Sequence, residues 1–201
     1  MTLDAAVAVA RERSWLSEAR LRALWASVAA VIEADIPGAI VECGCATGGS
    51  AVLLGLAAGG CRPLHIFDGF RGLPEPSERD PDAAYASHYA GCCHGARADV
   101  ERFLSEHCVS ATIVEGMYAD TLPAPEPRDV AVLHVDCDFY DSVMACLEGF
   151  YDRVARGGRI HIDDYGHWAG CRAATHDFFA ARGHVPLLHR IDDTGVWLTK
   201  S

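Results

Sequence analysis

Positive charge is scarce in this chain. Its 201 residues include 17 lysines and arginines against 28 aspartates and glutamates, which gives a formal net charge of −11 at pH 7. The few basic residues are scattered along the sequence. Because phosphate backbones are bound through clustered Lys and Arg side chains, this composition argues against nucleic acid as a partner.

Long apolar runs are also missing. The longest, AVLLGLAA at 51–58, falls well short of the roughly 20 residues that a transmembrane helix needs. The N-terminus begins MTLDAA, without the basic region and cleavage site of a secretory signal. We therefore expect a cytoplasmic protein with no membrane partner.

The nine cysteines have no repeated spacing. Several of them, such as Cys43, Cys137 and Cys146, fall within predicted core elements, where a reduced thiol serves as a small hydrophobic side chain. The group formed by residues 92–94 (CCH) and 107–108 (HC) lacks the spacing of structural zinc sites. We predict neither a disulfide framework nor zinc binding.

The order of helical and strand patterns predicts one α/β domain over residues 1–201. Apolar residues repeat at helical spacing from about Ser14 to Ala34, within an N-terminal helical lead-in of residues 1–36. The predicted elements that follow are strand 39–42, helix 50–58, strand 63–68, helix 97–106, strand 111–115, a proline-rich connection from Pro123 to Pro127, strand 130–135, helix 142–155, strand 159–162, helix 171–182 and the runs 185–190 and 196–199. This alternation predicts a doubly wound, mainly parallel sheet that closes with an antiparallel hairpin.

Residues 72–95 are predicted to form a long mobile loop on the substrate side of the domain, because they are rich in Pro, Gly, Asp and Tyr and show no period. Aromatic and polar side chains here and after the last acidic motif could frame a sugar or a phenol: Tyr85, His88, Tyr89, Tyr165 and Trp168. Alternatively, Tyr85 and Tyr89 only pin the loop to the domain.

A glycine-rich segment, ECGCATGGS at 42–50, lies between the first strand and a helix. Its glycines allow a tight turn and let a ligand approach the helix N-terminus closely. Asp68 ends the next strand, where a carboxylate can accept both hydrogen bonds of a ribose diol. Both features favour a nucleotide-type cofactor. Alternatively, the segment is only a tight connection and Asp68 only opens a turn.

Two later strands run into carboxylates, in LHVDCD at 133–138 and RIHIDD at 159–164. Asp136, Asp163 and Asp164 are therefore expected to converge at one edge of the sheet. Such a group repels itself unless a cation neutralises it, and oxygen ligands suit Mg²⁺. Alternatively, Asp163 and Asp164 form a cap or turn and Asp136 a salt bridge.

Several motifs, in order, resemble the macrocin-type O-methyltransferases, which act on sugar hydroxyls of macrolides and related natural products. The motifs are FDGFRGLP at 67–74, LHVDCDFYDS at 133–142, GGRIHIDDYG at 157–166 and GCRAATHDF at 170–178. The similarity runs from about Pro37 to Lys200. It implies a Rossmann-like class I methyltransferase sheet and Mg²⁺-dependent transfer of a methyl group from S-adenosylmethionine to a hydroxyl of a small-molecule acceptor.

The resemblance also implies roles for individual residues. S-adenosylmethionine is expected along Glu42, Gly44, Thr47, Ser50, Asp68, Gly116, Met117 and Asp136. By similarity to catechol-type O-methyltransferases as well, Mg²⁺ is expected on Asp136, Asp163 and Asp164. Those relatives carry a lysine where this chain has Phe139, so the proton acceptor is left open between Asp136, Asp138 and His167. His161, inside a strand, is predicted to be a core histidine with one satisfied nitrogen.

Other functions stay open at this point. The acceptor is a sugar or a phenolic, catechol-like hydroxyl. A nicotinamide-dependent oxidoreductase would keep the fold, but the glycine spacing and the three carboxylates disfavour it. A catalytically silent relative would have no reason to retain a costly charge cluster. A homo-oligomer is an expectation from the resemblance alone.

Overall fold

The computed structural model describes residues 1–123 and 126–201. Within them the helices are α1 (Leu3–Arg11), α2 (Glu18–Glu33), α3 (Gly49–Ala58), α4 (Ala83–Ala86), α5 (Arg97–Glu106), α6 (Tyr118–Thr121), α7 (Tyr140–Phe150) and α8 (Ala169–Ala181). The strands are β1 (Ala39–Cys43), β2 (Leu64–Asp68), β3 (Thr112–Glu115), β4 (Val130–Val135), β5 (Val154–Ile162), β6 (His189–Arg190) and β7 (Val196–Thr199). Ala124 and Pro125, in the predicted proline-rich connection, lie outside the described residues.

The strands of the described chain form one sheet in the order β3-β2-β1-β4-β5-β7-β6. Strands β1 to β5 pair in parallel, whereas β7 is antiparallel to both β5 and β6. The central strands β1 and β4 are buried along their whole length, as expected when helices cover both faces of a parallel sheet. The predicted doubly wound sheet and its closing antiparallel hairpin are confirmed.

Two apolar clusters pack on the sheet. One joins α1, α2, α3 and α5 to it and includes the buried side chains of Leu21 and Leu53. The other joins α7 and α8 to it, and there the rings of Phe67 and Phe150 meet edge to face with centroids 5.1 Å apart. The thiols of Cys43, Cys137 and Cys146 are buried, as predicted. The edge of the sheet formed by the strand ends is thereby left for a ligand.

The N-terminal lead-in contains two helices, whereas the sequence pattern predicted one. The helix that was missed, α1, begins after the N-cap Thr2 and buries Ala6, Val7 and Ala10. It spans only nine residues, about two and a half turns, so its apolar period is too short to stand out in the sequence. Both helices pack against α3, so the lead-in belongs to the first of the two apolar clusters.

Strand β5 begins earlier than predicted, because Gly157 and Gly158 lie within it and do not precede it. Gly157 has a φ of +84°, and its amide donates to the Lys200 carbonyl at 2.8 Å. The pairing of β4 with β5 shifts register in this region. The two glycines therefore mark an irregularity inside a strand, a common use of glycine in sheets.

The segment 72–95 holds more regular structure than predicted. It contains the single helical turn α4, followed directly by a 3₁₀ turn at Ser87–Tyr89. Ala86, the last residue of α4, is fully buried in the core cluster formed with α7 and α8. The mobility of this segment stays a prediction.

The 16-residue helix α2 carries charged residues in its first two turns and at its last residue. Among the described residues, no helix combines the length and the apolar character that crossing a membrane requires.

The packing of α2 makes a prediction about stability. Leu21 is fully buried, so Leu21→Ala should lower the free energy of unfolding by about 2–5 kcal/mol through lost burial and a residual cavity. Leu187, which is 75% exposed, is the matched control, and Leu187→Ala should change stability by less than about 0.5 kcal/mol. Urea unfolding measures both variants. Equal effects would mean that α2 is not part of the cooperative core.

Candidate functional site

A cavity of about 360 Å³ opens at the carboxyl ends of β1, β2, β4 and β5. Its lining comes from the glycine-rich loop after β1, the turns after β2 and β3, the acidic ends of β4 and β5, and the connection between α1 and α2. Ligands of doubly wound sheets bind at this edge. The cavity is therefore the candidate active site.

Three carboxylates meet in the cavity. Oxygen atoms of Asp136, Asp138 and Asp164 lie within 4.8 Å of one another, and across residues 1–123 and 126–201 they form the one group arranged to hold a metal ion. Asp136 and Asp138 follow β4, and Asp164 follows β5. Asp138 has a φ of +62°, a left-handed turn that few residues other than glycine, asparagine and aspartate adopt readily.

Burial and mutual repulsion raise the pKa of all three carboxyl groups. For Asp136 and Asp164, burial is the largest cause and the neighbouring carboxylates add to it. Burial also raises the pKa of Asp138 to about 6, although the Trp168 indole N–H, which donates to it at 2.7 Å, acts in the opposite direction. The cluster is costly without a cation, and its oxygen ligands fit Mg²⁺ or Mn²⁺.

Asp163, predicted as a metal ligand, is not a member of this cluster. Its carboxylate accepts a hydrogen bond from the Arg20 guanidinium and lies 3.7 Å from His134 Nε2. Two cationic partners thus engage Asp163. The carboxylates that lie together are Asp136, Asp138 and Asp164, whereas the predicted metal set of Asp136, Asp163 and Asp164 stays a prediction.

Glu42, predicted to contact the cofactor, is fully buried inside the sheet and pairs with His134 on the next strand. His134 Nδ1 donates to its carboxylate at 3.0 Å. Burial lowers the pKa of His134, but the carboxylates of Asp163 and Glu42 outweigh burial and raise it to about 9. A row of alternating charges therefore runs from the sheet to α2 through Glu42, His134, Asp163 and Arg20. Glu42 is the buried end of this row and pairs with His134.

His161 lies beside this row and is a core histidine, as predicted. Its Nε2 is 2.8 Å from the Ser27 hydroxyl on α2. Burial, with the positive charges of His134 and Arg159, lowers its pKa to about 3. The neutral imidazole and the serine hydroxyl satisfy each other between sheet and helix.

The remaining predicted cofactor residues divide into two groups. Those that line the cavity are Gly44, Asp68, Gly116, Met117 and Asp136. Two others stabilise the loop itself: the Thr47 hydroxyl donates to the Arg13 carbonyl at 2.5 Å, and Ser50 is buried in the first turn of α3. Sequence alone does not separate Gly44 from Thr47 and Ser50, because all three belong to the glycine-rich motif at 42–50.

Asp68 closes the glycine-rich loop. Its Oδ2 accepts the amides of Cys45 and Ala46 at 2.7 and 3.0 Å, and its Oδ1 accepts the Phe70 amide at 2.7 Å. A carboxylate offers about four lone-pair sites and three are occupied, so Oδ1 retains one site for a ribose hydroxyl. Asp68 thus forms the turn, and its contact with a ribose stays a prediction.

Trp168 links the carboxylates to the segment 72–95. Its ring centroid is 5.7 Å from that of Tyr85 and 5.3 Å from that of Tyr89, while its indole N–H binds Asp138. The two tyrosine hydroxyls lie 2.7 Å apart in a hydrogen bond. The tyrosines therefore do pin the segment to the domain, and Tyr89 also lines the cavity.

Of the other predicted aromatic and polar residues, His88 and His167 are exposed and Tyr165 is half-buried. His167 lies at the cavity with its ring 4.6 Å from that of Trp168. The Tyr165 hydroxyl instead pairs with His176 at 2.7 Å, and His88 Nδ1 contacts the Tyr85 carbonyl at 3.1 Å.

Two aspartates, missed by sequence reasoning, fasten the same segment to the helices that follow the acidic strands. Asp80, only 3% exposed, accepts the Tyr140 amide at the start of α7 at 2.7 Å. Asp82 accepts the Ala169 amide at the start of α8 at 3.0 Å. A carboxylate is favoured at a helix N-terminus. A Cβ on Gly170 would lie 1.8 Å from Asp80 Oδ1, so glycine leaves room for this contact.

Trp15, Leu16 and Arg20 also line the cavity and were missed, because they lie far from the motifs in sequence. A signal was present: Arg20 falls on the apolar stripe of α2, directly before the buried Leu21. A charge on a buried helix face needs a partner, which points to a polar site.

The raised pKa values predict an effect on stability. An aspartate in the unfolded chain has a pKa of about 3.9. Between that pH and the higher pKa of Asp136 in the folded state, the folded state binds more protons than the unfolded state. The free energy of unfolding therefore falls as the pH rises through this range. Asp136→Asn should therefore stabilise the protein in EDTA at pH 7 by roughly 0.5–2 kcal/mol. Urea unfolding tests this against Asp152→Asn, a mostly exposed control that should have little effect. A less stable Asp136→Asn would contradict the repulsion argument.

Comparison with known proteins supplies the family. The family model for macrocin-O-methyltransferase (TylF) matches residues 10–200. The 8-demethyl-8-(2,3-dimethoxy-α-L-rhamnosyl)-tetracenomycin-C 4′-O-methyltransferase of Streptomyces olivaceus is 33% identical over 190 residues, which cover 89% of this chain and 72% of the relative. The mycinamicin III 3″-O-methyltransferase of Micromonospora griseorubida is 29% identical over 194 residues, covering 90% and 76%.

Among solved structures, the O-methyltransferase NovP superimposes with a TM-score of 0.86 at 26% identity, covering 94% of this chain and 82% of NovP. The match confirms the class I methyltransferase fold that the motifs implied. The chain belongs to the macrocin-O-methyltransferase family and is an O-methyltransferase.

Proposed function

We propose that this enzyme transfers a methyl group from S-adenosylmethionine to a sugar hydroxyl of a small natural product, with the help of a divalent cation such as Mg²⁺. The observation that carries the proposal is the cluster of Asp136, Asp138 and Asp164 beside the cavity. Two relatives support a sugar acceptor, since one is named for the 4′ position of a rhamnosyl tetracenomycin and the other for the 3″ position of mycinamicin III.

The cavity fits S-adenosylmethionine by the chemistry of its lining. Asp68 offers an acceptor for the ribose, and Gly116 and Met117 border the side assigned to adenine. The negative charge of the acidic cluster attracts the positive sulfonium. When bound, the cofactor supplies an electrophilic methyl group on a positively charged sulfur. Tyr89 and Trp168 add aromatic surface to the cavity lining, and water displaced from this surface on binding would strengthen electrostatic interactions inside the cavity.

Asp136, Asp138 and Asp164 would hold the cation. When bound, it supplies positive charge that makes an acceptor hydroxyl more acidic. The strand ends fix where the carboxylates lie, and Trp168 holds one oxygen of Asp138. Preorganised placement of this kind lowers the barrier because the reacting groups are already aligned.

Asp138 is our assignment for the proton acceptor. Its pKa of about 6 is close to the operating range of a general base near neutral pH. Its second oxygen does not accept from the Trp168 indole and has two lone-pair sites, one for the cation and one for the proton of an acceptor hydroxyl. His167, at the same cavity, is the second candidate.

Calorimetric titration of S-adenosylhomocysteine, with and without Mg²⁺, tests cofactor binding directly. Micromolar binding, together with a Mg²⁺ signal that Asp164→Ala abolishes, would support the proposal. Methyl transfer is then assayed by mass spectrometry on rhamnosyl and other deoxysugar glycosides, beside catechols. Transfer to catechols alone would assign a phenolic acceptor. Absence of cofactor binding would overturn the proposal and leave a catalytically silent relative.

The base assignment gives a mutational prediction. Asp138→Asn should lower kcat by about 10²–10⁴-fold, the usual contribution of a general base, with little change in S-adenosylhomocysteine affinity. His167→Asn, the matched variant of the second candidate, should keep kcat within a few-fold of wild type. Steady-state kinetics on the accepted glycoside decides between them, and the reverse ranking would transfer the role to His167.

The cluster also predicts how cation binding depends on pH. Its ligands must be deprotonated, and Asp138 has a pKa of about 6, so a cation competes with protons below that pH. Mn²⁺ affinity, measured by electron paramagnetic resonance, should fall by about tenfold or more for each unit from pH 6 to pH 5 and level off above pH 7. Asp138→Asn should flatten this dependence. A flat wild-type profile would mean that these carboxylates are not the ligands.

A further inference from the structure

The charge of the cavity poses a problem for one end of the cofactor. S-adenosylmethionine carries a sulfonium, an ammonium and a carboxylate. The acids that line the cavity are Asp68, Asp136, Asp138, Asp163 and Asp164. They attract the two positive groups but repel the carboxylate, so this end of the ligand needs a hydrogen-bond donor with positive charge.

The N-terminus of α3, where a doubly wound fold would ordinarily bind an anion, is covered. A Cβ on Gly49 would lie 2.6 Å from the Ala10 carbonyl oxygen and equally close to Ser14. The neighbouring Thr47 hydroxyl is already bonded to the Arg13 carbonyl. The end of α1 and the connection to α2 therefore pack where a carboxylate would otherwise bind.

Of the described residues that line the cavity, Arg20 is the one with a permanent positive charge. It donates to Asp163, and its Nε lies 3.1 Å from Asp192 Oδ2. A guanidinium has five N–H donors, so these two contacts leave donors for a ligand. The side chain is 14% exposed and partly accessible from the cavity.

Arg20 is held in place before any ligand arrives. Asp192 also accepts from the hydroxyl of Ser17, the N-cap of α2, at 2.5 Å. A Cβ on Gly195 would lie 2.8 Å from Arg20 Cδ, so the turn before β7 closes over the stem of the side chain. A side chain fixed in this way loses little conformational entropy when it binds.

We propose that Arg20 binds the carboxylate at the amino-acid end of S-adenosylmethionine and so makes α2 part of the cofactor site. This inference rests on the proposed function. The order of the strand ends sets the direction of the ligand. Gly116 and Met117 follow β3, Asp68 ends β2, and Arg20 contacts Asp163 at the end of β5. A cofactor with adenine at the β3 side thus extends its amino-acid end toward Arg20.

The proposal also explains why Asp163 stands apart from the carboxylate cluster. Asp163 and Asp192 bind the same guanidinium from two sides and hold it at the cavity. Asp163 is then a positioning residue for Arg20. The two adjacent aspartates after β5 have different roles, because Asp164 belongs to the carboxylate cluster and Asp163 orients the Arg20 guanidinium.

Calorimetry with two ligands tests the proposal. S-adenosylhomocysteine carries the carboxylate, and its decarboxylated analogue lacks only that group. Arg20→Gln should weaken S-adenosylhomocysteine by about 10- to 100-fold, the range for a charged hydrogen bond, and leave the analogue within about threefold. Arg20→Lys should restore part of the loss. Arg22→Gln is the matched control, because Arg22 lies on the same helix and pairs with Asp4 and Glu18 outside the cavity.

The outcomes separate the two proposals. If wild type binds neither ligand, the cofactor assignment fails and the role of Arg20 fails with it. If wild type binds both ligands equally, or Arg20→Gln weakens both equally, Arg20 is only structural and the inference is overturned while the proposed function stands. Circular dichroism checks folding. If Arg20→Gln does not fold, Arg20→Lys decides, since a selective loss for the carboxylate ligand supports the inference and an equal loss overturns it.

Discussion

Crowded negative charge at the ends of β4 and β5 is the constraint that the surrounding structure depends on. Two adjacent parallel strands bring Asp136, Asp138, Asp163 and Asp164 to one edge, where burial and repulsion raise the pKa of three of these groups. Like charges this close are tolerated only when other groups compensate. The compensation comes from parts of the chain that are distant in sequence, and so the site helps to organise the fold.

Two sets of contacts provide that compensation. On one side, Arg20 and His134 form a row of alternating charge that connects the sheet to α2 and, through Asp192, to the closing hairpin. On the other side, Trp168 binds Asp138 and packs against Tyr85 and Tyr89. Helix α2 and the segment 72–95 are thus both fixed to the ends of β4 and β5, α2 through Asp163 and the segment through Trp168 and Asp138.

This arrangement bears on what sets the acceptor. The segment 72–95 is tied to α7 and α8 through Asp80 and Asp82, so its tyrosines lie at a defined distance from Asp138. Because this segment is predicted to lie on the substrate side, we expect substitutions among its exposed residues to change the acceptor preference without disturbing the carboxylates. The single domain over 1–201, the mobility of 72–95, a homo-oligomer and a cytoplasmic location stay predictions.

Strand periodicity, glycine-rich turns and acidic strand ends determined the doubly wound sheet, the edge that carries the site and the family, because these signals are local and each lies within a short motif. They also brought Asp136, Asp138, Asp164 and Asp68 forward as candidates. Only the tertiary structure decided which of the acidic residues bind other side chains of the protein. Glu42 and Asp163 are drawn into the charge row by His134 and Arg20, and Asp80 is fixed by a helix 60 residues away. The reason is physical: whether a carboxylate contacts a ligand or a buried partner depends on long-range contacts, and these form only when α2 and the segment 72–95 pack on the sheet.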